Sequence, residues 1–172
     1  MGRLFGTDGI RGIANTELDA ELAYRVARAA TYFLTNDAEA RAGGGGGAGV
    51  RPGIIVGRDT RVSGDLLEAA VVAGICSSGA DALRVGVMTT PGVAYLSRLP
   101  GVAGGIMISA SHNPVEYNGI KVFNTQGFKL PDPVEDEIET MVLGFTGMAA
   151  VDGSAAGGAF ERLPRPTGVD VG

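Results

Sequence analysis

Short apolar runs rich in β-branched residues alternate with longer segments of helical periodicity along this chain, and that alternation restricts the fold more than any other feature. Asp19 is placed to cap a helix whose apolar positions Leu22, Val26, Ala30, Phe33 and Leu34 recur at helical spacing. Ile54-Ile55-Val56 reads as a buried strand ended by Gly57. Ser63 is placed to cap a second helix with Leu66, Leu67, Ala70, Val71 and Ile75 inward, closing near Gly79. Leu83 to Val87 reads as a strand, and Pro91 suits the first turn of a short third helix through Leu99. Gly105 to Ile108 is a fully apolar strand and Asn118 to Phe123 a further one. Pro131 then opens a fourth helix, with Glu135, Asp136, Glu137 and Glu139 outward. Strands separated by helices imply crossover units, hence an α/β fold with a mostly parallel sheet and helices on both faces. In such sheets ligands gather at the carboxyl ends of the strands, which is where the polar loops of this chain cluster.

Composition narrows the function classes. With 172 residues and 45 % apolar content, the chain has the material for one ordinary domain with a real core. A net charge of −5 excludes a non-specific nucleic-acid binder, which needs a basic face to displace counterions. One cysteine excludes an intramolecular disulfide framework and a structural zinc cluster. The longest apolar stretches, such as Ala69 to Cys76, fall far short of the roughly 20 residues of a membrane span. The N-terminus lacks an apolar signal core, so a cytoplasmic protein without membrane or nucleic-acid partners is expected. Glycine is in excess, at 29 residues, much of it in a loop over 42–50 and in a Gly/Ala/Pro-rich tail over 144–172. Both read as flexible segments, leaving residues 1–143 as the folded domain. The glycine run lacks the Lys-Ser/Thr ending of a phosphate-binding P-loop.

Three loops carry chemistry. The first, Gly6-Thr7-Asp8-Gly9-Ile10-Arg11-Gly12, has glycines for tight turns and an arginine whose planar fork suits phosphate; a hairpin or bulge with a solvated arginine is equally compatible. The second, Gly57-Arg58-Asp59-Thr60-Arg61-Val62-Ser63-Gly64, offers two arginines and a helix start to an anion. A structural role is favoured there, with Arg58 and Asp59 as an ion pair and Ser63 as a cap. The third, Ser109-Ala110-Ser111-His112-Asn113-Pro114, follows the apolar strand directly and holds the only histidine. A serine exposed at a strand's carboxyl end suits nucleophilic or phosphoryl-transfer chemistry, and Pro114 stiffens the loop by holding Asn113 extended. No G-x-S-x-G elbow is present, and adjacent side chains diverge, so a hydrolytic Ser–His pair is not expected. Lys121 shares a strand face with Gly119 and Phe123, opposite Ile120 and Val122. Partly shielded there, it suits proton transfer; a snorkelling surface lysine is the plainer alternative.

Taken together, Phe5-Gly6-Thr7-Asp8-Gly9-Ile10-Arg11-Gly12, Gly57-x-Asp59-Thr60-Arg61-x-Ser63-Gly64 and Ser109-Ala110-Ser111-His112-Asn113-Pro114, followed by Tyr117-Asn118-Gly119-Ile120-Lys121, resemble the α-D-phosphohexomutase family. Thr90-Pro91 and Lys129-Leu130-Pro131 fit the same pattern. The resemblance covers residues 1 to 143 and implies the family's first domain, a three-layer α/β/α unit with a mostly parallel mixed sheet. The closeness of the first motif to Met1 and the serine at 109 point to the bacterial branch that acts on a hexosamine phosphate and its 1,6-bisphosphate. By this resemblance Ser111 is the phosphoserine, and His112 and Asn113 shape its loop. Arg11 and Lys121 lie near the transferring phosphate, with Asn113 beside them and Lys121 the candidate for proton transfer. Mg2+ would meet Ser111 through its phosphate, its other ligands coming from an Asp-Gly-Asp loop in a second domain. No such loop occurs in this sequence, where Asp152-Gly153-Ser154 is not one, and Glu116 stands where Asp is common. The expectation is therefore a phosphoserine-bearing domain that needs the remaining mutase domains and is inactive alone. A domain acting on mannose or glucose phosphates, or a non-catalytic phosphate-binding module, are the rivals.

Overall fold

The computed structural model describes residues 4–6, 9–36 and 51–144. Among these, five strands and four helices follow in the order β1 (Ile10–Ile13), α1 (Ala20–Asn36), β2 (Gly53–Arg58), α2 (Gly64–Ser77), β3 (Asp81–Val87), α3 (Thr90–Leu96), β4 (Val102–Ile108), β5 (Tyr117–Phe123) and α4 (Asp132–Gly144). The strands form one sheet in the order β1-β5-β4-β2-β3. β2 pairs in parallel with both β3 and β4, whereas β5 runs antiparallel to β4 on one side and to β1 on the other. Only β5 is therefore reversed, and the sheet is mixed but mostly parallel. The reversal turns the β4–β5 connection into a hairpin rather than a crossover, which anchors the Ser109–Glu116 loop to a strand at each end.

Helices α1, α2 and α4 cover one face, where Val26, Leu67, Ile75, Ile106, Ile120 and Ile138 share the main core. The short helix α3 covers the other face over Ile55, Val93, Met107 and Phe123. Asp19 caps α1 as expected, its carboxylate accepting from the Leu22 amide at 2.7 Å, a contact of about 1 kcal/mol. The buried stripe of α1 is mostly alanine, with Leu22 and Phe33 only half-buried. The cause is the approach of α2, where a Cβ on Gly74 would stand 2.9 Å from the Ala27 Cβ, so large side chains have no room at the crossing.

Several details differ from the sequence reading. Residues 10–13 are strand rather than loop, so Arg11 projects from the sheet itself. Ser63 occupies the N-cap position of α2 but makes no side-chain capping bond; its hydroxyl accepts from Asn118 Nδ2 at 2.9 Å. Glu135 faces inward, almost fully buried, and pairs with Lys129 at 2.9 Å, while Glu139 accepts from the Leu4 and Phe5 amides. Leu66 is exposed and α3 ends at Leu96. The 42–50 loop lies outside the described residues, as does the tail beyond Gly144, the last residue of α4. No helix among the described residues is long and apolar enough to cross a membrane.

Candidate functional site

The carboxyl ends of β2 and β4 lie side by side, with Arg58 opposite Ile108, and the Asp59 amide donates to the Ile108 carbonyl at 3.0 Å. The second and third polar loops thus leave the sheet together. On the other side of β4, the Ser109 amide donates to the Gly119 carbonyl at 2.9 Å, and Gly119 in turn stands opposite Arg11 of β1. Three motifs separated by about a hundred residues of chain meet at this one edge of the sheet.

The two serines of the loop differ sharply. Ser109 is 4 % exposed, and its hydroxyl accepts from the Ser111 amide at 3.0 Å. Ser111 is exposed, with a backbone φ of 57°, a left-handed conformation that costs a non-glycine residue about 1 kcal/mol or more and is held only where surroundings impose it. His112 is exposed beside it. Asn113 is half-buried; its amide donates to the Ala110 carbonyl at 3.1 Å and its side-chain oxygen accepts from Arg11 Nη1 at 2.9 Å. Arg11 is thereby aimed at the loop. Lys121 lies opposite Met107, two positions further along β5 than Gly119, on the α3 face of the sheet. Its stem passes Gly9, where a Cβ would come within 3.2 Å of Lys121 Cγ; Gly9 has φ +86° and packs on the Ile120 carbonyl. The first motif's glycine therefore makes room for the lysine of the last. Thr7 and Asp8 of that motif fall outside the described residues.

Arg61, offered by the sequence only as one of two arginines for an anion, binds the third loop instead. Its Nη1 donates to the Pro114 and Tyr117 carbonyls at 2.6 and 2.8 Å, and its Nη2 to the Ser111 and Asn113 carbonyls at 3.1 and 2.7 Å. Its Nε donates to Asp59 at 3.2 Å, and its own amide to the other Asp59 oxygen at 3.1 Å. The expected Arg58–Asp59 pair is not formed. Arg58 instead points back along α2 to Asp65 at 2.6 Å and Glu68 at 2.9 Å. The spacing held a usable signal: an aspartate two residues before an arginine can turn the chain by accepting from its amide. A second unforeseen support is Asn118, fully buried, whose Nδ2 donates to the Ser63 hydroxyl on the α2 side and whose Oδ1 accepts from the Gly119 amide at 2.8 Å.

Among the described residues no group of three His, Cys, Asp or Glu side chains could hold a metal ion. The Asp59 carboxylate of the neighbouring loop is engaged by Arg61. These residues do not by themselves fit a magnesium site.

Residues 2–145 match the family described as phosphoglucomutase/phosphomannomutase, alpha/beta/alpha domain I. The chain belongs to the phosphoglucomutase/phosphomannomutase family. It is 53 % identical over 174 residues to the phosphoglucosamine mutase of Heliobacterium modesticaldum and 53 % identical over 172 residues to that of Desulforudis audaxviator. Both alignments take in 100 % of this chain, but 36 % and 33 % of those proteins, so the chain spans about a third of the length of these relatives. Among solved structures, a phosphoglucomutase/phosphomannomutase family protein of Burkholderia thailandensis superposes with a TM-score of 0.62 at 30 % identity, over 82 % of this chain and 30 % of that one. The mostly parallel mixed sheet and its helical layers are thus those of the family's first domain.

Proposed function

We propose that residues 1–143 are the phosphoserine-bearing domain of a phosphoglucosamine mutase, which in the complete enzyme interconverts glucosamine 6-phosphate and glucosamine 1-phosphate. Ser111 is the carrier. In the forward half-reaction its phosphoryl group passes to the free sugar hydroxyl, the bond from phosphorus to the serine oxygen breaking as the bond to the sugar oxygen forms. The hydroxyl releases a proton and the serine oxygen gains one; Lys121 exchanges the proton at the serine oxygen. The resulting 1,6-bisphosphate returns its other phosphoryl group to Ser111 by the reverse exchange. Arg11 supplies a guanidinium for the transferring phosphate, and His112 and Asn113 shape the loop. Mg2+, when bound, would neutralise charge on the phosphoryl oxygens, with the Ser111 phosphate as this domain's contribution and the remaining ligands from other mutase domains.

The observation that carries this reading is the contrast between the serines. Ser111 is exposed on the loop that Arg11 reaches through Asn113, where a phosphate of about −1.5 to −2 charges stays solvated. Ser109 is buried and already accepting a hydrogen bond. The phosphoglucosamine mutase names of the relatives at 53 % identity support the sugar; mannose or glucose phosphate is the second reading, favoured by the family's description. The test is an exchange enzyme in which residues 1–143 replace the matching segment of the Heliobacterium modesticaldum relative. It should turn over glucosamine 6-phosphate, and Ser111→Ala should lower kcat by at least about 1,000-fold with the thermal midpoint unchanged, since nucleophile loss removes the covalent route. The retained domains present the sugar in this enzyme, so it tests the carrier: an active Ser111→Ala enzyme would refute that assignment.

A further inference from the structure

We propose that Arg61 is a positioning residue for phosphoryl transfer, holding Ser111 in its left-handed conformation through main-chain carbonyls while taking no part in binding the phosphate. The inference rests on the reading of Ser111 as the phosphoryl carrier. An arginine beside a loop of this kind is ordinarily expected to bind the anion, because its fork matches phosphate oxygens. Here the donors are already used. A guanidinium has five N–H groups, and Arg61 directs them to five acceptors: Asp59 and the carbonyls of Ser111, Asn113, Pro114 and Tyr117. None is left for a ligand without breaking a bond to the loop.

The four carbonyls bracket the loop from Ser111 itself to the first residue of β5. They turn toward one point, the Pro114 carbonyl also accepting from the Tyr117 amide at 3.1 Å, and carbonyl dipoles gathered in this way repel. A single planar cation satisfies all four and fixes their spacing. The side chain is 11 % exposed, so these bonds act in a partly desolvated setting where they are stronger than in water. The φ of 57° at Ser111 is a strained value that local sequence does not favour, and Arg61, together with the Ser109 hydroxyl on the Ser111 amide, is what over-determines it. Asp59 seats Arg61 from behind by two bonds, one to Nε and one to the amide. Lysine cannot replace this arrangement, because its three donors diverge from one nitrogen and cannot span four carbonyls.

The exchange enzyme described above, phosphorylated with glucose 1,6-bisphosphate, provides the test. Arg61→Lys should lower kcat about 100-fold, the scale expected when a reacting group is misplaced by about an ångström. KM should stay within about threefold and the phosphate should remain on Ser111, because the anion's own ligands are intact. Guanidinium added to Arg61→Ala should restore part of kcat, and Asp59→Asn, which keeps one of the two acceptor oxygens, should fall between the parent and Arg61→Lys. Should Arg61→Ala fail to fold, Arg61→Lys and Asp59→Asn carry the comparison, with circular dichroism melts confirming their folding. Parental kcat in Arg61→Lys, or a KM increase with kcat unchanged, would overturn the positioning role. Phosphate found elsewhere than on Ser111 in the parent would overturn the reading of the carrier instead, so the two failures are distinguishable.

Discussion

Ser111 holds its left-handed backbone at the end of a strand that is buried along its whole length, so the loop begins from a fixed point. Ser109, the first residue beyond that strand, contributes by accepting from the Ser111 amide at 3.0 Å. Replacing Ser109 by alanine leaves the amide without this partner and loosens the conformation from one side. The net worth of such a bond is about 1 kcal/mol, so Ser109→Ala should lower kcat by about fivefold, well short of the loss at Ser111. Steady-state kinetics of the two exchange enzymes decide this, and equal losses would mean that Ser109 has a direct part in the chemistry. The residue types of this site were legible in the sequence because serine, histidine, asparagine and proline follow an apolar strand without interruption. The conformation of Ser111 was not. It depends on Arg61, which lies 50 residues away, and no local pattern encodes a bond between a side chain and a distant carbonyl.

At the scale of elements, β2, β3 and α2 are joined by one buried carboxylate. Glu68 of α2 is 2 % exposed and accepts from Arg84 of β3 at 3.0 Å and from Arg58 of β2 at 2.9 Å. The hydrogen bond from Arg84, with the Arg58 bond and both positive charges adding to it, holds the Glu68 carboxyl below its ordinary value of 4.5 despite burial, which acts in the opposite direction. A folded-state value below the unfolded one means that stability from Glu68 is fully present above the unfolded value and is lost as pH falls through the folded one. The thermal midpoint of the chain should therefore fall on acidification below about pH 4.5, and Glu68→Gln should flatten that fall while lowering the midpoint at pH 7. Melts across pH 3–7 check both, and parallel curves for the two proteins would remove Glu68 from the account. The same cluster explains what periodicity revealed and what it hid. Apolar spacing found α1, α2, β2, β4 and β5 because burial of one face sets a period. The inward turn of Glu68 and Glu135 was invisible, because each is buried only by virtue of a cation from another element, Arg84 and Arg58 for one and Lys129 for the other. The assignment of residues 10–13 as strand was missed for a similar reason: β1 is four residues long and exists as a partner of β5.

In the molecule as a whole, reversal of the single strand β5 gathers the chemistry. It places the Gly119 segment between β4 and β1, so that Arg11, the Ser109–Glu116 loop and the Arg61 loop stand at one end of the sheet. The chain supplies the proposed serine carrier and cations there, and spans about a third of the length of relatives named phosphoglucosamine mutase (36 % and 33 % of two of them). Under the proposed function this domain holds the phosphoryl group and other domains present the sugar. The central claim is that the group rides on Ser111, and locating the phosphate tests it most directly. The exchange enzyme is incubated with glucosamine 1,6-bisphosphate, digested, and its phosphopeptides are sequenced by mass spectrometry. A single phosphate on Ser111, discharged when glucosamine 6-phosphate is added, is the predicted result; phosphate on Ser109, or full turnover with Ser111 unmodified throughout, would contradict the account.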